Sequence, residues 1–541
     1  MTSSNYLPVA VMIFMTAVAC APGEKSTSRL TDDIPVCGTV QFSDGCSEVL
    51  DPMIAYGLAL VHHMTYEEAD KVFTQVSEAD ENCFWGPWGK ALSYIHPLWN
   101  DPPTEERLRA GWELSQKALK LAKNEKEVAY GRVLVDYYEN GWQKSDKERL
   151  SKFHDGWAHA YQANPQDLEA KAFYALSLIS VSDPTDKTLA NQLKAGRLAE
   201  EVLLEIGDHP GAFHYIIHAY DYPSLSGKAI QVANNYGKIA PEIPHALHMP
   251  SHIFTRLGMW KESIAWNTRS AAAALKSPVR GAVSMHYFHA MDYMMYSHLQ
   301  RGEVTKARAV LEEMKKLSGP FHPHNATAYA LAAGDGRFHL ERTDWKGAAM
   351  MTLPTNPDFP WNKFPESRAL NAFARGLGAA RSGSIELAES ALTQLDSLKP
   401  SIKHPYFAGQ VEVQKNIIKA RMAFDDGKRK DAIGLMRQAC DLEWATEKHP
   451  VTPGELLPSR ELFGEMLMEA DLSREALEQY ELSLQRSPNR LNSLYGAARA
   501  AALSGDREKA KQYYAKVVEL TAESTDMVDI REKAKVQLTS L

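Results

Sequence analysis

Cysteine, basic surplus and strand signals are all scarce in this chain, and each scarcity excludes something. Five cysteines in 541 residues, with no CxxC pair and no thiolate spacing, leave no basis for a zinc ribbon or a sulfur-ligated cluster. Against 68 acidic residues stand 60 basic ones, a formal net charge of −8, and no Lys/Arg block able to track a phosphate backbone stands out; nucleic acid is not an expected partner. No Gly-rich phosphate loop, G-x-S-x-G elbow or paired Cys/His nucleophile signature is present. Alternating β-branched stretches are almost missing beyond residue 50. What is there instead is the helical pattern, apolar residues at i, i+3, i+4 and i+7, in a chain too long for one small core.

The first residues read as an address. "LPVAVMIFMTAVAC" has the length of a secretory apolar region, is short for a membrane span, and ends in the small-residue pattern Ala17-Val18-Ala19. Two export readings stay open. Cleavage after Ala19 alone gives a secreted chain; alternatively Cys20, followed by the polar "APGEKSTS", resembles the lipobox and tether of bacterial lipoproteins, whose acylated cysteine anchors a periplasmic or cell-envelope protein to the membrane. Ala17 in place of Leu, and an n-region without Lys or Arg, depart from that pattern. Outside the cytoplasm the close pair Cys37 and Cys46 is a candidate disulfide, with two idle thiols as the alternative.

Repeats organise the rest. "EADLSREALEQYELSLQRSPN" and "LSGDREKAKQYYAKVVELT" align on Ala476 and Ala510, 34 residues apart, which is the tetratricopeptide (TPR) period. A turn residue stands five places before each alanine (Asp471, Gly505) and an aromatic four places after it (Tyr480, Tyr514). The turn breaks the chain between helices, the alanine lets them approach, and the aromatic fills the groove between them. The same interval recurs at Gly427/Ala432, Gly383/Ala388, Gly302/Ala307 and Gly258/Ser263, while Ala69 and Phe73 mark an earlier unit. "EKHPVTPGELLP" reads as an inter-repeat loop. The fold expected is all-α, a right-handed α-α superhelix (TPR-like solenoid) of helical hairpins. Its divisions are a signal segment 1–19, a tether 20–49, N-terminal helical repeats 50–205, His-rich repeats 206–320 and C-terminal repeats 321–541.

With "HPGAFHYIIHAYDYP", "APEIPHALHMPSHIFTRLGMWKESIAWN", "EKHPVTPGELLPSRELFGEML" and "NRLNSLYGAARAAALSGDREKA" in view, the chain resembles a family of exported bacterial TPR proteins over about residues 50 to 520. The resemblance implies an α-solenoid with a His-bearing groove and supplies no reaction. A second cysteine near Cys83, common in that family, is replaced here by "CFWG", which argues against a thiolate site at that position.

The two histidine runs superimpose at the repeat period: His214 on His248 and His218 on His252, each pair spaced i, i+4 on one helix face, the spacing of two ligands for one metal ion. By the resemblance, the second, fifth, ninth, twelfth and thirteenth positions of a repeat's first helix line the concave groove. The four histidines fall at fifth and ninth positions, His245 and His289 at second positions, Asp292 at a fifth, Asp221 at a twelfth and Arg256 at a thirteenth. Such a cluster suits Zn, Cu, Fe or Ni, with Asp292 or Asp221 as a ligand or as a partner to one. Without metal, the same groove would hold an acidic or C-terminal peptide by hydrogen bonds. Neither His-x-x-x-His carries a following Glu, so the zincin base is missing; a base would come from Asp221, Glu242 or Asp292. Pro250 either kinks the helix or starts it, and in the second case His248 sits on a loop.

Other signals are weaker. His62 and His63 are explained by a helix C-terminus, "CFWGPWGKALSYIHPLW" is core or an aromatic shelf, and His322 and His324 end a solvated stretch or extend the His face. His154, His159, His298, His339 and His404 read as ordinary helix residues. Two functions of different class therefore stand. One is an interaction scaffold holding a protein or peptide in a His/Asp-lined groove that is also a metal candidate. The other is a metal-dependent hydrolase or oxidoreductase on the same solenoid.

Overall fold

The computed structural model describes Met1 and residues 34–42, 46–99, 101–354 and 358–540. Residues 2–19 of the apolar leader and Cys20 lie outside them. Among the described residues the protein is a TPR-like solenoid of α-helical hairpins from Asp51–His62 to Val528–Ser540, each helix packing on the next, with no strand and only two isolated bridges. None of these helices is long and apolar enough to cross a membrane.

The turn and alanine positions read from the sequence explain the hairpins. Gly258, Gly302, Gly383, Gly427, Asp471 and Gly505 all take positive φ, and Ser263, Ala307, Ala388, Ala432, Ala476 and Ala510 five residues on are all fully buried. Met64 and Thr343 do the same before Ala69 and Ala348, without a glycine to announce them. Gly258 is the one that cannot be exchanged: at φ +66° a Cβ would lie 2.4 Å from the Pro488 carbonyl oxygen.

The cysteine pairing differs from expectation. Cys46 bonds to Cys83, not Cys37, and Cys37 is a buried free thiol. The bond joins the segment before the first helix to the turn after the Tyr66–Ala79 helix, a non-local contact that spacing along the chain could not reveal. Cys37 serves otherwise, its carbonyl accepting from His63 Nε2 at 3.0 Å.

The superhelix closes on itself. Trp260 Nε1 donates to the Asn489 carbonyl (2.9 Å), Leu491 N to Gln300 Oε1 (3.1 Å) and Ser524 Oγ to the Gly302 carbonyl (2.6 Å). At the centre of this seam Arg490, fully buried, holds Glu341 through both terminal nitrogens at 2.8 Å and Glu461 through Nε (2.7 Å) and Nη2 (2.8 Å). As a result the helices Pro210–Tyr220 and Met285–Gln300 are buried along their whole length, polar faces included. A helix with a polar stripe is buried on all sides only when that stripe has something to face. Arg490→Ala would strand two buried carboxylates, and a loss of about 3–5 kcal/mol is expected in urea unfolding; a loss under about 1 kcal/mol would mean the seam is incidental.

Candidate metal centre

His209 caps the Pro210–Tyr220 helix, its Nδ1 accepting from Ala212 N (3.1 Å), and Pro210 occupies the first turn where its missing N–H costs nothing. His214 and His218 then share a face. In the next repeat Pro250 begins a helix, Pro250–Leu257, and a short helix Pro244–His248 precedes it. Met249 between them keeps helical dihedrals (φ −52°, ψ −38°), and the His252 amide bonds to the Met249 carbonyl at 3.1 Å. His248 is therefore helical rather than on a loop, and the i, i+4 face survives the proline.

These faces assemble two trios. The ligand nitrogens of His214, His218 and His245 all lie within 4.8 Å of one another, and so do those of His248, His252 and His289. Each trio joins a fifth- and ninth-position pair to the second-position histidine of the following repeat, so one is the repeat copy of the other. They adjoin: ring centroids are 5.8 Å apart for His218 and His252 and 6.0 Å for His245 and His248. All six side chains are buried.

Protonation at the second trio is fixed by its neighbours. Asn267 Nδ2 donates to the Ser263 carbonyl (2.8 Å), which turns Asn267 Oδ1 toward His248 Nδ1 (2.7 Å), so that nitrogen carries the proton. His252 Nδ1 donates to Asp221 Oδ2 at 3.0 Å. Burial would raise the Asp221 pKa, but Lys448 and Arg256 with His252 hold it well below the usual carboxylate range. Burial, with those two cations nearby, in turn lowers the His252 pKa despite the Asp221 bond. Both rings are thus neutral and both Nε2 atoms bear lone pairs, yet they face each other at 3.1 Å. In the first trio His214 Nδ1 donates to the His62 carbonyl (2.6 Å), leaving its Nε2 without a partner; His218 Nε2 and both nitrogens of His245 are also unpartnered, as is His289 Nδ1. Buried polar atoms are normally satisfied, so a run of orphans at one place signals a missing partner.

A third cluster shows the contrast. His62 and His209 donate through Nε2 to Glu169 at 2.7 and 3.0 Å, and Gln41 N adds a third bond at 2.7 Å. His62 Nδ1 meets the Tyr215 hydroxyl at 2.8 Å and His209 Nδ1 caps its helix. Burial opposes the charge on Glu169, but the two histidines hold its pKa well below the ordinary value. With every atom engaged this trio is a structural bridge, and it aims the His62 carbonyl at His214.

The groove over the centre is covered rather than open. The 446–458 loop enters it: the Tyr293 hydroxyl reaches the Pro450 and Thr452 carbonyls at 3.0 Å, and Arg337 donates to Thr452 Oγ1 and the Gly454 carbonyl at 2.8 Å. Trp99 lies across the other side, its ring 5.1 to 6.1 Å from those of His245, His286, His289 and His324. A cavity of ≈ 10 Å³, room for about one water, remains between His218, His245, His252 and His289 beneath Trp99 and His449.

Asp292 Oδ1 accepts from Arg337 Nε at 2.8 Å and its Oδ2 is unpartnered; Glu242 is exposed; Asp221 stands behind His252. Sequence reasoning passed over His62, Glu169, Asn267 and the loop residues Lys448 and His449. A helix-end explanation concealed His62, and no local signal marks the others. Trp85 and Trp88 of the tryptophan-rich stretch are core, whereas Trp99 is the cover.

Fold and site together define a TPR-like all-α solenoid with a polyhistidine interior. No family model and no curated protein matches the chain. Solved structures with some likeness include the human IFIT1 dimer with m7Gppp-AAAA, 14% identical over 77% of this chain and 88% of that one at TM-score 0.36. Yeast Tom70 is 12% identical over 90% and 96% at TM-score 0.35, and the P58(IPK) TPR domain 12% identical over 91% and 98% at TM-score 0.20. They carry no information about the site.

Burial lowers the pKa of all six imidazoles and of His286, to about 3 for His218 and His286. Unfolded histidine titrates near ~6.5, so between that pH and about 3 the unfolded chain binds protons that the folded one refuses. Stability of metal-free protein is accordingly complete above that range and falls as pH drops through it, by about 1.4 kcal/mol per pH unit for each excluded proton. Urea unfolding of chelator-treated protein at pH 7.5, 6 and 5 checks this; a flat profile would show the rings are charged or solvated.

Proposed function

We propose that the two histidine trios bind one or two transition-metal ions inside the closed solenoid. The observation that carries the reading is the 3.1 Å approach of His248 Nε2 to His252 Nε2 while the far nitrogen of each ring is engaged by Asn267 and Asp221, which leaves the facing nitrogens their lone pairs. Two bare lone pairs repel at that distance, and a cation between them converts repulsion into two bonds. Zinc–nitrogen bonds of about 2.0–2.1 Å at a tetrahedral angle put ligand nitrogens about 3.3–3.4 Å apart, close to what is observed. The Asp221–His252 and Asn267–His248 bonds are the outer contacts that metal-binding imidazoles use to fix tautomer and raise basicity. An all-imidazole set suits Zn, Cu, Fe or Ni and disfavours Mg or Ca, which take oxygen.

A metal-dependent enzyme is the second reading, supported by the ≈ 10 Å³ cavity against His218, His245, His252 and His289, which has room for about one water. Three imidazoles with one open position make a hydrolytic type of site, in which bound water becomes acidic. The helical scaffold also suits protein partners, on faces outside the covered groove. Export, with a lipid tether at Cys20 if acylated, is supported by the leader sequence and by the Cys46–Cys83 bond, since disulfides persist in oxidising compartments.

Elemental analysis of full-length protein, before and after equilibration with Zn²⁺, tests the reading. Bound metal is expected in the parent, reduced in His214→Ala and in His252→Ala and abolished in the double variant. Folded protein that takes up none, or variants that take up as much, would refute it. Asp221→Asn keeps the ligands and is expected to weaken binding about 10–100-fold; unchanged affinity would remove Asp221 from the centre.

A further inference from the structure

The cavity at the histidine centre is lined by soft groups and is short of negative charge. Besides imidazoles its wall holds Met64, Trp99 and apolar Leu98 and Val451, and no carboxylate among the described residues. Neither histidine trio includes a carboxylate oxygen within the distance that joins its nitrogens. The two buried aspartates of the region are already engaged by cations. Asp221 accepts from Arg256 Nε at 2.8 Å and lies 3.3 Å from Lys448 Nζ, and Asp292 accepts from Arg337 Nε at 2.8 Å. Met64 is a second, independent observation. It is buried in the turn after the Asp51–His62 helix, at φ 55°, the position before a buried small residue at which Gly258, Gly302 and Gly383 stand in other repeats. Left-handed backbone favours glycine, yet this repeat keeps a thioether there, in the wall of the cavity.

Charge and softness choose among the metals that imidazole suits. Burying an ion costs free energy in proportion to the square of its charge, so a divalent ion costs about four times as much as a monovalent one of the same size where no anion offsets it. Repulsion between two ions in the adjoining trios falls by the same factor when both are monovalent. Of the candidate metals copper is the one with a stable monovalent state, and that state prefers neutral nitrogen and thioether ligands over oxygen. We infer that the histidine centre holds cuprous copper, with Met64 as its soft contact in the cavity wall. The inference rests on the metal-binding reading above and narrows it: zinc fits the spacing of His248 and His252 and enters in the absence of copper, but yields to Cu(I) when both are present.

Anaerobic competition between Cu(I), supplied as its acetonitrile complex, and Zn²⁺ on chelator-treated full-length protein tests it, with bound metal measured by elemental analysis and the copper valence by its X-ray absorption edge. With both metals at equal concentration, Cu(I) is expected to exceed zinc in the protein at least about tenfold, with a monovalent edge. Met64→Leu is a swap of similar volume that leaves the histidines in place. It is expected to weaken Cu(I) about tenfold while the zinc affinity and the melting temperature of the metal-free protein stay at the parent's values, which separates a lost ligand from lost folding. Zinc that matches or displaces Cu(I), or a Met64→Leu variant that weakens both metals alike or neither, overturns the inference and leaves the metal-binding reading standing. Uptake of neither metal overturns both.

Discussion

Two imidazole nitrogens whose ring protons are drawn to the far side, His248 Nε2 and His252 Nε2, face one another at 3.1 Å in a buried interior, and the surrounding structure is arranged to keep them so. Asn267 holds one ring and Asp221 the other, each by the far nitrogen. Lys448 and Arg256 already neutralise Asp221, so a proton on His252 would add a positive charge where two stand. The protein thus spends buried hydrogen bonds to preserve a pair of free lone pairs. Beside the Glu169 cluster, where each histidine nitrogen is engaged, that is a construction for an electrophile.

Closure of the superhelix follows from the same constraint. An open groove would let water satisfy the rings and also protonate them. The seam around Arg490, the Trp99 cover and the 446–458 loop together remove that option. The loop is held by Arg337, which also takes one oxygen of Asp292, so the aspartate that groove geometry offered to a metal helps pin the cover. The same stretch of chain thereby lines the histidine cavity, through His449 to Val451.

Much of this was legible wherever periodicity carries information. The left-handed turn five residues before a buried small residue recurs because each hairpin needs both, and the histidines superimpose at the repeat spacing because they sit at equivalent places on equivalent helices. Their convergence follows from i, i+4 geometry and from stacking of neighbouring repeats. The rest depends on contacts between distant parts of the chain. Cys46 meets Cys83 rather than nearby Cys37, Glu169 reaches His62 and His209 across separate helices, and a Pro-rich linker folds inward because Arg337 and Tyr293 offer donors for its carbonyls. None of these has a period, so nothing in the sequence pattern announces them.

Anomalous X-ray scattering from crystals of the full chain grown with Zn²⁺ is the most direct test of the central claim. The account predicts a zinc peak bonded to Nε2 of both His248 and His252, with Asp221 still on the far nitrogen of His252. A well-ordered interior with no peak there, or a peak confined to the Glu169 cluster, would contradict it.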